Sequence, residues 1–271
     1  MPPAVTPPLQ PTEAHPRPRV VVVAGTPDLA PRVAEAATTL ALPLAETAAE
    51  ADLALVLDAG GWALLDPAPG APGAVRCDLA GGAFGARLRR GVGLDERLAK
   101  AMGLRAGRPR PRVLDATAGL GRDSVLAAAL GCEVVACERD PVVAWLLRDG
   151  LARAAAEPAL APIVARITLR AADARDVMAA LPEAERPDVV IVDPMFPERR
   201  KAAAVKKEMQ ALHRLLGTEP DPASLLDAAL RCATARVVVK RPGHAPPIEG
   251  PRPDLAIPGK AVRLDVYLPR P

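Results

Sequence analysis

With 271 residues, half of them apolar, the chain can bury one large core or a main domain with a small appendage. A net charge of +3 is too slight to mark a nucleic-acid binder by itself, and no apolar run reaches membrane-spanning length. Four cysteines with no C-x-x-C pair, beside three histidines, exclude a standard zinc constellation and a disulfide framework, so neither a metal nor an oxidising compartment is expected.

Residues 1–18 are proline-rich with little to bury and predict a disordered tail. Residues 19–104 predict a small N-terminal α/β appendage: a strand over 19–23, a helix over 31–40, a hairpin of 53–57 with 62–65 around Gly60-Gly61, and a helix near 95–102. Arg87, Arg89 and Arg90 follow a glycine loop there and suggest substrate docking. An arginine- and proline-rich linker, 105–112, opens the domain over 105–271. From 113 onwards strands (113–116, 133–137, 166–169, 189–192, 236–240) alternate with helices (124–130, 142–156, 175–181, 225–233). That alternation argues for a parallel sheet covered on both faces, and 262–268 reads as a half-exposed antiparallel edge strand.

In such a sheet ligands bind beyond the carboxyl ends of the strands, at the switch point. Asp115 ends the first strand of the second domain, and Gly119 and Gly121 let backbone approach a ligand closely. Glu138 ends the next strand about twenty residues after the glycine turn, where an acid accepts hydrogen bonds from ribose hydroxyls. Asp173 follows the third strand and suits an adenine amino group or, equally, a helix cap. Asp115 and Asp123 favour a cationic ligand centre, and so S-adenosylmethionine, over a pyrophosphate. The fourth strand runs into Asp193-Pro194-Met195-Phe196-Pro197. By itself an aspartate–proline pair is a strand-ending turn. Beside the glycine turn it becomes a device for a planar amine: the Asp193 carboxylate and the Pro194 carbonyl each accept one N–H, and Phe196 offers a stacking face. Lys201, Lys206 and Lys207 follow as candidates for RNA phosphates, with Lys240 and Arg241 as a second set.

These segments, together with Glu138 through Ala144, Val205 through Met209 and Val237 through Pro242, resemble the bacterial small-subunit ribosomal RNA guanine-N2 methyltransferases of the RsmJ (YhiQ) family. The resemblance runs from about 78 to 267. It implies a Rossmann-like class I S-adenosylmethionine-dependent methyltransferase sheet of seven strands over 105–271, with 16S rRNA or the small ribosomal subunit as substrate. It implies cofactor contacts at Arg122, Asp123, Glu138, Arg139, Asp173 and Asp193, with Ala174 beside Asp173 on the adenine side. Such an enzyme is cytoplasmic.

Three other functions fit parts of the chain. A methyltransferase acting on adenine N6 or protein glutamine usually carries a second proline where Met195 stands. A nicotinamide oxidoreductase would want a glycine at Ser124 to complete G-x-G-x-x-G. A non-catalytic ribosome-assembly factor would have no use for Asp193 and Phe196 together.

Overall fold

The computed structural model describes residues 17–71, 73–196, 210–218, 221–243 and 245–269. The predicted tail falls outside them, except for Arg17 and Pro18; Arg17 reaches Asp140 in an ion pair.

The larger sheet has the order β10-β11-β9-β8-β5-β6-β7. Its parallel strands are β5 (Arg112–Asp115), β6 (Glu133–Cys137), β7 (Ile167–Arg170), β8 (Val189–Val192) and β9 (Arg236–Pro242). The four side chains of β8 are all buried, as a central strand covered on both faces requires, and this explains its unbroken run of Val and Ile. Helices α4 (Arg122–Ala129), α5 (Pro141–Ala155), α6 (Ala161–Val164), α7 (Ala174–Ala180), α8 (Gln210–Leu216) and α9 (Pro222–Cys232) lie between the strands in sequence. Asp140, Asp173 and Asp221 cap α5, α7 and α9 by accepting backbone N–H bonds at their first turns.

β11 (Val262–Tyr267) is antiparallel to β9, as expected, but it is not an edge strand. β10 (Leu255–Ile257) pairs along its outer side, and Leu264 through Tyr267 are buried. Alternation in the sequence came from Arg263 and Asp265, and these two form a salt bridge with each other.

Chain order explains where a ligand can sit. From β5 the chain steps outward to β6 and β7, then returns to place β8 on the opposite side of β5. The strand direction of travel reverses between β5 and β8, which opens a crevice at their carboxyl ends.

The smaller sheet contains β1 (Val20–Ala24), β2 (Leu53–Asp58), β3 (Gly61–Leu65) and β4 (Val75–Arg76), with β1 and β2 parallel and the rest antiparallel. Helix α1 (Ala30–Leu40) covers it. The glycine loop read ahead of Arg87 is instead part of helix α2 (Gly82–Arg90), and α3 (Arg97–Met102) packs on β9 and β11 of the larger sheet. One cluster of buried side chains joins the two sheets: Leu53, Leu55 and Leu64 share it with Val143, Leu146 and Leu147 of α5. Trp62 of β3 meets Trp145 of α5 edge to face at 5.8 Å. Among the described residues no helix is long and apolar enough to cross a membrane.

Candidate active site

Asp115 leaves β5 fully enclosed, at 1% exposure. One carboxylate oxygen accepts the Ser124 hydroxyl at 2.6 Å and the other the Thr117 N–H at 3.2 Å. Both bonds fold the loop after β5 onto the start of α4. In that loop Gly119 and Gly121 have φ of +54° and +77°, where a side chain is strained. A Cβ on Gly121 would also stand 2.5 Å from Leu147 Cδ1, so the turn needs glycine there for space as well.

Glu138, past the end of β6, is pinned by two backbone N–H groups: Gly119 donates to Oε2 at 2.9 Å and Asp140 to Oε1 at 2.8 Å. Burial raises its pKa, and the two amides work against that rise. Past β8, the Asp193 N–H donates to Thr117 Oγ1 at 2.6 Å, which ties the Asp193 motif to the glycine loop. Lys240 of β9 lies between two acids, with Nζ 2.7 Å from Asp123 Oδ2 and 2.8 Å from Asp193 Oδ2. Burial pushes the Asp193 carboxyl above its ordinary range; Lys240 pulls it back and Asp123 pushes it further up. Burial would weaken the Lys240 ammonium, but the two carboxylates outweigh this and hold it more firmly protonated than usual.

A cleft of about 580 Å³, part of it open to solvent, lies between these groups. The loops after β5 and β6 line it with Thr117, Gly119, Glu138 and Arg139; the start of α7 adds Asp173, Ala174 and Arg175. The Asp193-Pro194-Met195 segment closes the β8 side.

A protein family described as "Putative SAM-dependent methyltransferase" matches residues 35–269. Ribosomal RNA small subunit methyltransferase J of Thioalkalivibrio sulfidiphilus is 47% identical over 250 residues, 92% of this chain and 98% of that protein. The protein of that name in Pseudomonas aeruginosa strain UCBPP-PA14 is 48% identical over 250 residues, 92% of this chain and 95% of its own. The chain belongs to the ribosomal RNA small subunit methyltransferase J family. The crystal structure of a SAM-dependent methyltransferase from Neisseria gonorrhoeae superposes with a TM-score of 0.70 at 36% identity, covering 92% of this chain and 96% of that one. The seven-stranded sheet is thus the Rossmann-like class I methyltransferase sheet, and S-adenosylmethionine is its cofactor.

The cleft suits that cofactor. The Glu138 carboxylate is held by amides yet lines the cleft, so it can accept from a vicinal diol. The positive φ of Gly119 opens the loop, and a Cβ added there would find only the Thr117 carbonyl, at 3.9 Å. Two carboxylates, Asp123 and Asp193, share one lysine and leave the site with an excess of negative charge, which favours a cationic ligand.

Within this family framework the sequence-predicted residues divide. Gly119, Glu138, Arg139, Asp173, Ala174, Asp193 and Pro194 line the cleft together. Asp173 also caps α7 and is chelated by Arg175, through Nε at 2.9 Å and Nη2 at 2.6 Å, and the Arg175 contacts hold its carboxyl below the ordinary range. An adenine amine must therefore share it with Arg175. Asp115 lies beneath the cleft and braces the loop, because both its oxygens are engaged internally. Gly121 shapes that loop from the N-cap of α4. Arg122 turns away to the surface, with its guanidinium 5.7 Å from the Phe84 ring centre. Phe196 is half-buried against the cluster containing Leu225 and Ala229.

Two phosphate assignments need correction. Arg241 is 4% exposed, bound to Asp265 at 2.5 Å and to the Ala245 carbonyl, so it braces β9 against β11 and cannot reach RNA. Lys240 belongs to the acid cluster instead of the surface. Lys201, Lys206 and Lys207 lie outside the described residues. Of the docking arginines, Arg87 pairs with Glu96 and Arg89 with Glu157. Thr117 and Arg175 were not singled out from the sequence; a hydroxyl two residues past a strand-ending acid is the only signal Thr117 gave.

Proposed function

We propose that this chain transfers the methyl group of S-adenosylmethionine to the exocyclic N2 amine of a guanine in the 16S rRNA of the small ribosomal subunit, in the cytoplasm. The observation that carries the reading is the placement of Asp193-Pro194 at the β5/β8 crevice, in the same cleft as Glu138 and the glycine loop. The substrate class comes from the relatives, which are named for the ribosomal RNA small subunit.

The bound cofactor supplies an activated methyl on a sulfonium sulfur. Glu138 and Gly119 line the cleft, where Glu138 would hold the ribose hydroxyls and the Gly119 backbone would leave room for the cofactor. A guanine amine is a weak nucleophile because its lone pair is delocalised into the ring, but it is not protonated at neutral pH, so no base has to act before attack. The Asp193 carboxylate and the Pro194 carbonyl each accept one of its N–H bonds, which turns the lone pair toward the methyl. As the N–C bond forms, the methyl–sulfur bond would break with its electron pair returning to sulfur, and positive charge passes to the nitrogen beside Asp193, whose negative charge stabilises it. The surplus proton then leaves the amine for Asp193 or solvent. A base inside a helix cannot enter, so the guanine is flipped out or already unpaired. Lys201, Lys206 and Lys207 follow the motif in sequence and are assigned to the flanking phosphates.

Small subunits from a strain lacking this gene, incubated with the protein and radiolabelled S-adenosylmethionine, should acquire N2-methylguanine. Asp193→Ala should lose the label. Cofactor binding without transfer to subunits or free 16S rRNA would overturn the substrate.

A further inference from the structure

Lys240 has an unusual position for a residue in a sheet of apolar side chains. β9 pairs with β8 through Val192 and Val239, so the next residues along, Asp193 and Lys240, emerge together at the carboxyl edge. The lysine there is 28% exposed, and its ammonium touches Asp193 from β8 and Asp123 from α4. Asp115, at the end of β5, is the third acid of the group and feels both of the others.

Resting on the methyl-transfer reading of this cleft, we infer that Lys240 is a positioning residue for the reaction: its ammonium bridges Asp123 to Asp193, keeps the Asp193 carboxylate ionised and leaves Oδ1 to accept the amine. An Asp193 crowded by Asp123 and withdrawn from water would otherwise take up a proton more readily. A protonated carboxyl sets a donor against the donor of the guanine amine at one oxygen, and its remaining carbonyl oxygen is a weaker, uncharged acceptor that does not stabilise the growing positive charge. The bridge also fixes the carboxylate relative to α4, which starts at the cofactor loop, so one cation sets the distance between the acid and the cofactor side of the cleft. With Lys240 on Oδ2, Oδ1 is the Asp193 oxygen that meets no donor among the described residues, and with the Pro194 carbonyl it matches the two N–H bonds of an unmethylated amine.

The decisive measurement needs neither cofactor nor RNA. With aspartate carboxyl carbons labelled with carbon-13, the Asp193 signal is assigned by its loss in Asp193→Asn and followed against pH. Lys240→Gln should move the Asp193 midpoint up by about one pH unit or more, and Lys240→Arg should leave it near the wild-type value. Should the single variant not fold, the comparison of Asp123→Asn with Asp123→Asn/Lys240→Gln takes the second acid away from the lysine, so that Asp193 alone loses its cation, and should show the same upward shift. Midpoints that stay in place in both backgrounds overturn the role. In turnover, Lys240→Gln should lower kcat roughly 10–100-fold, with the acid limb of the kcat profile displaced upward and KM for subunits unchanged. A raised KM with a flatter salt dependence and an unmoved acid limb would make Lys240 a phosphate contact and overturn the inference. A wild-type protein that methylates nothing overturns the reading of the cleft, whereas an unmoved titration overturns the lysine's role; the two failures are separate.

Discussion

Single residues decide the chemistry here by how they are enclosed. Asp115 and Asp193 end neighbouring strands in the same cluster, yet one holds a loop and the other faces the cleft. Burial and the nearby Asp123 push the Asp115 carboxyl up to about 7, against the pull of Ser124 and the Thr117 amide. The folded protein therefore keeps a proton on Asp115 that the unfolded chain has lost between about pH 4 and pH 7. Its stabilising contribution is complete below that window and disappears as pH rises through it, at roughly 1.4 kcal/mol per pH unit. Asp115→Asn, neutral at every pH and still able to accept the Ser124 hydroxyl, should gain stability relative to wild type as pH climbs across this range. Urea unfolding of both proteins at the two ends of the window checks it; parallel pH dependences would refute the buried proton. Acids ending strands were legible in the sequence because their position after an apolar run is a one-dimensional fact. The place of Lys240 was not: it depends on the β8–β9 register, which no local pattern reveals.

At the scale of elements, what could be read was whatever carried its own periodicity. The four strands β5, β6, β8 and β9 are apolar runs bounded by turns, and their places follow directly. Helix α2 was concealed by its glycines and β10 by its brevity, and without β10 the neighbouring β11 looks like an edge. The same gap in information hid Arg241, whose charge reads as surface until β11 brings Asp265 beside it. Asp265 is 1% exposed and also bonds Arg263, so the three charges form a buried brace across the β9–β11 pair. Removing Arg241 leaves the buried Asp265 with only the part-exposed Arg263 to offset its charge. Arg241→Met should cost about 3 kcal/mol in urea unfolding while leaving the salt slope of RNA binding unchanged. A stable variant with a reduced slope would return Arg241 to the RNA face.

Taken as a whole molecule, the two sheets are physically harder to separate than their sequences suggest. Composition and pattern change near residue 105, which reads as a boundary, yet the side chains do not stop there. α5 gives one flank to the large sheet and the other to β3, and Trp62 N–H donates to Asp149 of that helix. Arg153 of α5 donates to the Cys77 carbonyl at 2.7 Å, and Arg214 pairs with Asp66. A helix packed from both sides cannot lose one neighbour without exposing apolar surface, so the small sheet and the catalytic sheet should unfold together. The two tryptophans of the chain, Trp62 and Trp145, stand at this junction, so their fluorescence reports on it while calorimetry reports on the whole. Wild type should show one transition by both probes. Leu64→Ala, which empties a fully buried position of β3, should cost about 2–5 kcal/mol and lower both transitions together by about 5–10 °C. A fluorescence transition that falls alone, ahead of an unmoved calorimetric peak, would mean that the small sheet folds as a separate unit and that the shared core contributes little to the catalytic one.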